Sequence, residues 1–159
     1  MKLLFICTHN RCRSILAEAI CNHLSDGRLN ARSAGSQPVG QVHPSSLKYL
    51  SEVGIATAGL YSKSWDEYES WNPDIVITVC DSAAGESCPI WFAQADKVHW
   101  GLADPSRFVG SEEEVANAFR DTIALLENRI FLLLETDFES LDRQQRKTLL
   151  EQIVAADRE

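Results

Sequence analysis

Apolar residues follow two rhythms along this chain. Short unbroken runs read as buried parallel strands. "KLLFI" at 2–6 stops abruptly at Cys7, and "DIVITVC" at 74–80 is β-branched and ends in Cys80. "ARSAGS" at 31–36 and "KVHW" at 97–100 read as shorter strands. Helical spacing fills the intervals. "SILAEAICNHL" at 14–24 sets Ile15, Leu16, Ala19, Ile20 and Leu24 on one face, and Gly27 stops it. "HPSSLKYLSEVGI" carries Pro44 in its first turn and Gly54 after its end. "EEEVANAFRDTIALLENRIFLLL" is a long amphipathic helix whose acidic first turn suits the helix dipole. "DFESLDRQQRKTLLEQIVAA" reads as a further helix with Phe138, Leu141, Leu149 and Ile153 as its apolar stripe.

Strands alternating with helices predict an α/β fold: a single-domain, open, mostly parallel four-stranded sheet with helices on both faces. The 159 residues suit one domain, and they show no internal repeat, low-complexity tract or long linker. Residues 1–136 form the expected core, and 137–159 a C-terminal helical extension. Ligands of such sheets bind beyond the carboxyl ends of the strands. Cys7, Cys80 and the loop containing Asp104 all fall there.

Charge narrows the ligand. Fifteen basic against 23 acidic residues give a net charge of −8, which argues against nucleic acid or an anionic membrane as partner. A small anion still suits a locally positive site. The longest apolar runs, such as "IFLLL" at 130–134, are too short to span a bilayer, and "MKLLFIC" is too soon polar for a signal peptide. The expectation is a cytoplasmic protein. Five cysteines, at 7, 12, 21, 80 and 88, make an odd count without a CxxC pair. That points away from a disulfide framework or a zinc site and toward thiol chemistry or burial.

The candidate chemistry lies in "CTHNRCRS" at 7–14. Between a strand and a helix, the Cys7 sulfur meets unpaired N–H groups and the positive end of the helix dipole, which favour a thiolate and an oxyanion. Arg13 can fold its planar fork over the loop onto two oxygens of a tetrahedral anion. The Ser14 hydroxyl can donate to the Cys7 sulfur. Cys12 reads as a packed thiol, and His9 as a rim or loop-packing residue.

This stretch is similar to the P-loop of low-molecular-weight protein tyrosine phosphatases and of the arsenate reductases built on the same fold. Asn10, Cys12, Arg13 and Ser14 fall where that family has them, and His9 stands where it often has glycine. The resemblance extends over most of 1–134, including "DP" at 104–105. It implies a low-molecular-weight phosphatase-like fold, an oxyanion held by Thr8, His9, Asn10, Arg11, Cys12, Arg13 and Ser14, and Asp104 as general acid. The segment "VCDSAAGESCP" at 79–89 resembles the thioredoxin-coupled arsenate reductases, with Cys80 and Cys88 one residue further apart than usual. The function this implies is arsenate detoxification. Cys7 attacks arsenate, Cys80 attacks Cys7 and frees arsenite, and Cys88 draws the disulfide to Cys80–Cys88 across a stretch of small residues. The implied reductant is thioredoxin or a glutathione and glutaredoxin system, with no cofactor required. A phosphatase working through a Cys7 phosphoenzyme is the alternative, and a phosphocarrier domain is a more distant one. Some relatives bind potassium beside the loop; Asn10, Glu18 and Ser33 match three of its ligands, the sequence offers no fourth, and no metal is assigned.

Overall fold

The computed structural model describes residues 1–80 and 95–156. Its strands are β1 (Lys2–Cys7), β2 (Asn30–Gly35), β3 (Ile75–Thr78) and β4 (Asp96–His99). The helices are α1 (Arg13–Ser25), α2 (Pro44–Glu52), α3 (Glu112–Leu134) and α4 (Arg143–Ala156). The strands form one sheet in the order β2-β1-β3-β4, and all three pairings are parallel. Leu3 to Cys7 are all buried, so both faces of the central strand are covered.

This order has a physical consequence. The chain leaves β1 toward β2 on one side and returns through α2 to β3 on the other. The strand ends of β1 and β3 therefore flank the switch point where ligands enter such sheets. Ile6 pairs with Thr78, and Val79 N–H donates to Ile6 O at 2.9 Å, so Cys7 and Cys80 leave the sheet side by side. β3 ends at Thr78, so Cys80 stands just past the strand rather than within it.

Helix α3 starts where its acidic turn predicts. Ser111 and Glu114 cap it reciprocally: Glu114 N–H donates to Ser111 Oγ at 3.1 Å and Ser111 N–H to Glu114 Oε1 at 3.3 Å. Helix α1 is buried over most of its circumference, Glu18 included, so its apolar face is wider than the expected stripe. The C-terminal segment is not one helix. A single turn at Phe138–Ser140 is followed by α4, because Asp142 caps a new start: Gln145 N–H donates to Asp142 Oδ1 at 2.8 Å. The break rotates the stripe. Phe138, Leu150 and Ile153 are buried, while Leu141 and Leu149 are only half-buried. Among the described residues no helix is long and apolar enough to cross a membrane.

Candidate active site

The loop between β1 and α1 is held from outside by its carbonyls. Thr8 O accepts from Gln37 N–H at 2.9 Å, His9 O from Val39 N–H at 3.3 Å, and Arg11 O from His43 N–H at 2.9 Å. Ser62 Oγ adds a hydrogen bond to His9 O at 3.2 Å, and Ser46 Oγ one to Arg11 O at 3.4 Å. In a trans peptide the following N–H points the opposite way. The N–H groups of His9, Asn10 and Cys12 thus turn to the concave side. No side chain caps α1, whose N-cap is Cys12, so its first-turn N–H groups also remain for a ligand.

The turn needs two unusual backbone positions. Asn10 has φ +48°, in the left-handed region, and is wholly buried. Its side chain supports it: Nδ2 donates to Ser14 Oγ at 2.8 Å and to Ser33 Oγ at 3.0 Å, and Oδ1 accepts from Lys63 N–H at 2.9 Å. Gly35, at the end of β2, lies so close beneath the loop that a Cβ there would stand 2.5 Å from Thr8 O. Only glycine permits that approach.

Cys7 is buried at the base of the loop. The charge expected of it from position alone meets opposition. A hydrogen bond with the Cys80 thiol and then burial push the Cys7 thiol well above its ordinary value; the Arg13 charge and the His9 N–H pull the other way without prevailing. Cys80 is itself in contact with Thr8, Oγ1 to Sγ at 3.7 Å. Burial raises Cys12 to about 11 and Cys21 to about 12, as suits packed thiols. Ser14, having accepted from Asn10, keeps its own proton to donate.

Arg13 reaches across the mouth. Its Nη1 donates to Leu102 O at 3.0 Å, and Nη2 lies 3.6 Å from Asp104 Oδ2. Its buried Nε–H has no hydrogen-bond partner among the described residues, so a donor stays available to an oxyanion. Asp104 Oδ1 accepts from Ser106 N–H at 3.0 Å and from Ser106 Oγ at 2.6 Å, which fixes the carboxyl beside Arg13. Cys7, Cys80, Arg13 and Asp104, drawn from three strand ends, therefore share one site. Cys88 lies outside the described residues.

Two participants escaped the sequence reading. Gly35 carries no signal beyond being a glycine near the end of a short strand. Lys63, in "YSKSW", reads as an ordinary loop lysine but is 3% exposed. Its Nζ donates to Glu18 Oε1 at 3.2 Å, Ser33 Oγ at 3.3 Å and Tyr61 O at 2.9 Å. Two of the three side chains matched to a potassium site, Glu18 and Ser33, thus already hold an ammonium, while the Asn10 oxygen is taken by the Lys63 backbone N–H, so the residues present do not fit a metal ion there.

A family model for low molecular weight phosphotyrosine protein phosphatase matches residues 2–147, from β1 into α4. The chain is 34% identical over 132 residues to an arsenate reductase of Bacillus subtilis, covering 83% of this chain and 94% of that one. Among solved structures, an arsenate reductase in the phosphate binding state superposes with a TM-score of 0.68 at 30% identity, over 84% of this chain and 96% of the other. A thioredoxin-dependent arsenate reductase of Corynebacterium glutamicum gives 0.60 at 30% identity, over 83% of this chain and 62% of the other. A match that runs almost the whole length of the fold, loop included, means that this chain belongs to the low molecular weight phosphotyrosine protein phosphatase family.

Proposed function

We propose that this protein reduces arsenate to arsenite, with Cys7 as nucleophile and Cys80 and Cys88 as the relay that carries the oxidation away. The observation that carries the reading is the thiol pair at the base of the oxyanion loop, where Cys80 hydrogen-bonds to Cys7. Phosphate-ester hydrolysis has no use for a second thiol at that point. The similarity to arsenate reductases over most of the chain supports the same choice.

The loop N–H groups of Thr8, His9, Asn10, Arg11, Cys12, Arg13 and Ser14 cradle the oxyanion, and Arg13 spans two of its oxygens. The Cys7 thiol and the hydrogen arsenate dianion then give a dianionic arsenate thioester on Cys7 and water. The arsenate dianion can take the thiol proton itself, so a raised Cys7 pKa does not block the step. Asp104 can relay that thiol proton to the departing oxygen, so water leaves with no net loss of a proton from the carboxyl, and Ser14 donates to the sulfur. Cys80 next attacks the Cys7 sulfur. The As–S electron pair stays on arsenic, which falls from the pentavalent to the trivalent state. The Cys80 proton and two more from solvent complete neutral arsenous acid, and a Cys7–Cys80 disulfide remains. Cys88 attacks Cys80, which frees the Cys7 thiol and leaves Cys80–Cys88. An external dithiol restores both thiols by exchange. Thioredoxin is the candidate, since the Corynebacterium glutamicum relative is thioredoxin-dependent; a glutathione and glutaredoxin system is the other. No resident cofactor is called for.

The test is arsenite release with thioredoxin and its reductase. Cys80→Ser and Cys88→Ser are expected to abolish repeated turnover, with Cys88→Ser still completing a single turnover that leaves Cys7–Cys80. Full turnover in both variants would overturn the relay. Hydrolysis of p-nitrophenyl phosphate by the wild type without arsenite release would put phosphate-monoester hydrolysis through Cys7 and Asp104 in its place, a reading favoured by Asp104 beside Arg13.

A further inference from the structure

We propose that Lys63 is a positioning residue for the oxyanion loop, its ammonium serving as a built-in cation in the place where a potassium ion would otherwise sit. The proposal rests on the reading of residues 7–14 as an anion cradle, not on arsenate as the anion.

The geometry is that of an ion in a cage. Three oxygens from three parts of the chain surround Nζ: Glu18 on α1, Ser33 on β2 and the Tyr61 carbonyl. The Tyr61 ring adds a face, with its centroid 4.6 Å away. A lysine this deep loses most of its hydration, which only a carboxylate and further acceptors can offset. Burial does lower its pKa, and Glu18 opposes that shift.

The cage is wired to the loop. Ser33 Oγ accepts from both Lys63 Nζ and Asn10 Nδ2 and donates to Glu18 Oε1 at 2.6 Å. Lys63 N–H donates to Asn10 Oδ1, while Lys63 O accepts from Gly35 N–H at 2.9 Å. The main chain of Lys63 thus fixes the side chain of Asn10, whose left-handed backbone turns the loop, and the glycine on which the loop rests, while its ammonium bears on Asn10 through the shared Ser33 hydroxyl. The ammonium also neutralises Glu18, a buried carboxylate on the helix that begins at the loop. Left unpaired, that charge would work against an arriving anion.

Potassium should therefore be irrelevant to this protein and become relevant once the ammonium is gone. A cavity of about 490 Å³ lined by Glu18, Tyr61, Lys63 and Tyr68 offers a small cation a path to the vacated cage.

The experiment measures how inorganic phosphate protects Cys7 from iodoacetamide, in choline chloride and in potassium chloride of equal ionic strength. Wild type is expected to bind phosphate equally in both. Lys63→Ala is expected to bind roughly tenfold more weakly in choline and to regain most of that loss in potassium. A merely structural lesion would not tell potassium from choline. Should Lys63→Ala not fold, the Glu18→Gln/Lys63→Met pair carries the test, because it removes both charges. Weakened protection, equal in both salts, in a double variant that keeps the wild-type melting temperature and circular dichroism supports the proposal there; wild-type affinity, or weakening only in step with lost stability, overturns it. Phosphate affinity of the wild type that rises with potassium, or a Lys63→Ala loss that potassium does not mend, overturns it as well. Phosphate that fails to protect even the wild type overturns this proposal together with the anion-cradle reading.

Discussion

At the scale of single residues, the pairing of Cys7 with Cys80 sets the chemistry of both. A thiol at a helix N-terminus beside an arginine is ordinarily acidified. Here a second thiol hydrogen-bonds at the same spot and favours the protonated Cys7, and burial removes the water that would solvate a thiolate. Two sulfurs in contact do not both ionise. The cause can be tested by removing one. In Cys80→Ala the Cys7 thiol loses its largest upward influence while Arg13 and the His9 N–H remain. Its alkylation by iodoacetamide is expected to rise at lower pH than in wild type, followed by mass mapping of the Cys7 peptide. An unchanged profile would assign the shift to burial alone. Position in sequence announced Cys7; its protonation state depends on a neighbour more than seventy residues away, which only the sheet register brings near.

At the scale of elements, local chemistry decides where helices begin, and one of these beginnings is sensitive to pH. Helix α2 is capped by His43, whose Nδ1 accepts from Ser45 N–H at 3.1 Å. Accepting requires the neutral ring. Burial and then the Arg11 charge lower the His43 pKa below 6.5, with Asp104 opposing. The unfolded chain therefore binds the proton more readily than the folded one. The contribution of the cap is complete above the unfolded value and is lost as pH falls through the lowered folded value. His43→Asn, which caps without titrating, is expected to flatten thermal stability over roughly pH 5–7, the range in which histidine titrates; a wild-type-like slope in that variant would place the dependence elsewhere. Elements of this kind were legible in the sequence. The acidic start of α3, Pro44 at the head of α2 and the apolar run of β1 each carry their own local signal. The break before α4 was hidden because Asp142 looks like one more polar residue on a helical face until its side chain turns back to Gln145. Lys63 and Gly35 were hidden for a stronger reason. A loop lysine, like a glycine at the end of a strand, is buried only by segments distant in the chain, so no local pattern marks it.

At the scale of the whole molecule, the C-terminal segment braces the wall of the site. The β4 strand is the edge of the sheet, and α4 lies against it. Asp96 in that strand meets Arg143 at 2.8 Å and Arg146 at 3.9 Å. The next residue past the strand, Trp100, is fully buried, stands 6.4 Å from Phe5 ring to ring, and donates its indole N–H to Leu150 O at 3.0 Å. Arg129 of α3 holds the carbonyls of Trp100 and Gly101, at 3.1 and 3.2 Å, and Arg13 holds that of Leu102. Consecutive residues on the way to Asp104 are thus pinned by α4, α3 and α1 in turn. The C-terminal extension contributes to the core: Leu150 and Ile153 pack with the same buried cluster as β1. Leu150→Ala should consequently behave as a core truncation and cost about 2–5 kcal/mol. For a domain of this size that is a fall in melting temperature of roughly 5–15 °C, read by circular dichroism. Loosening should spread from α4 into the loop that Trp100 anchors, with tryptophan emission shifting to the red. The turn at 7–14 hangs on residues 35–43 and 62–63 rather than on α4, and Arg13 is itself rooted in α1, so phosphate should still protect Cys7 in this variant at a temperature where it is folded. A loss of that protection equal to the loss of stability would mean that the wall and the cradle are one cooperative unit, and that α4 shapes the anion site as well as the sheet edge.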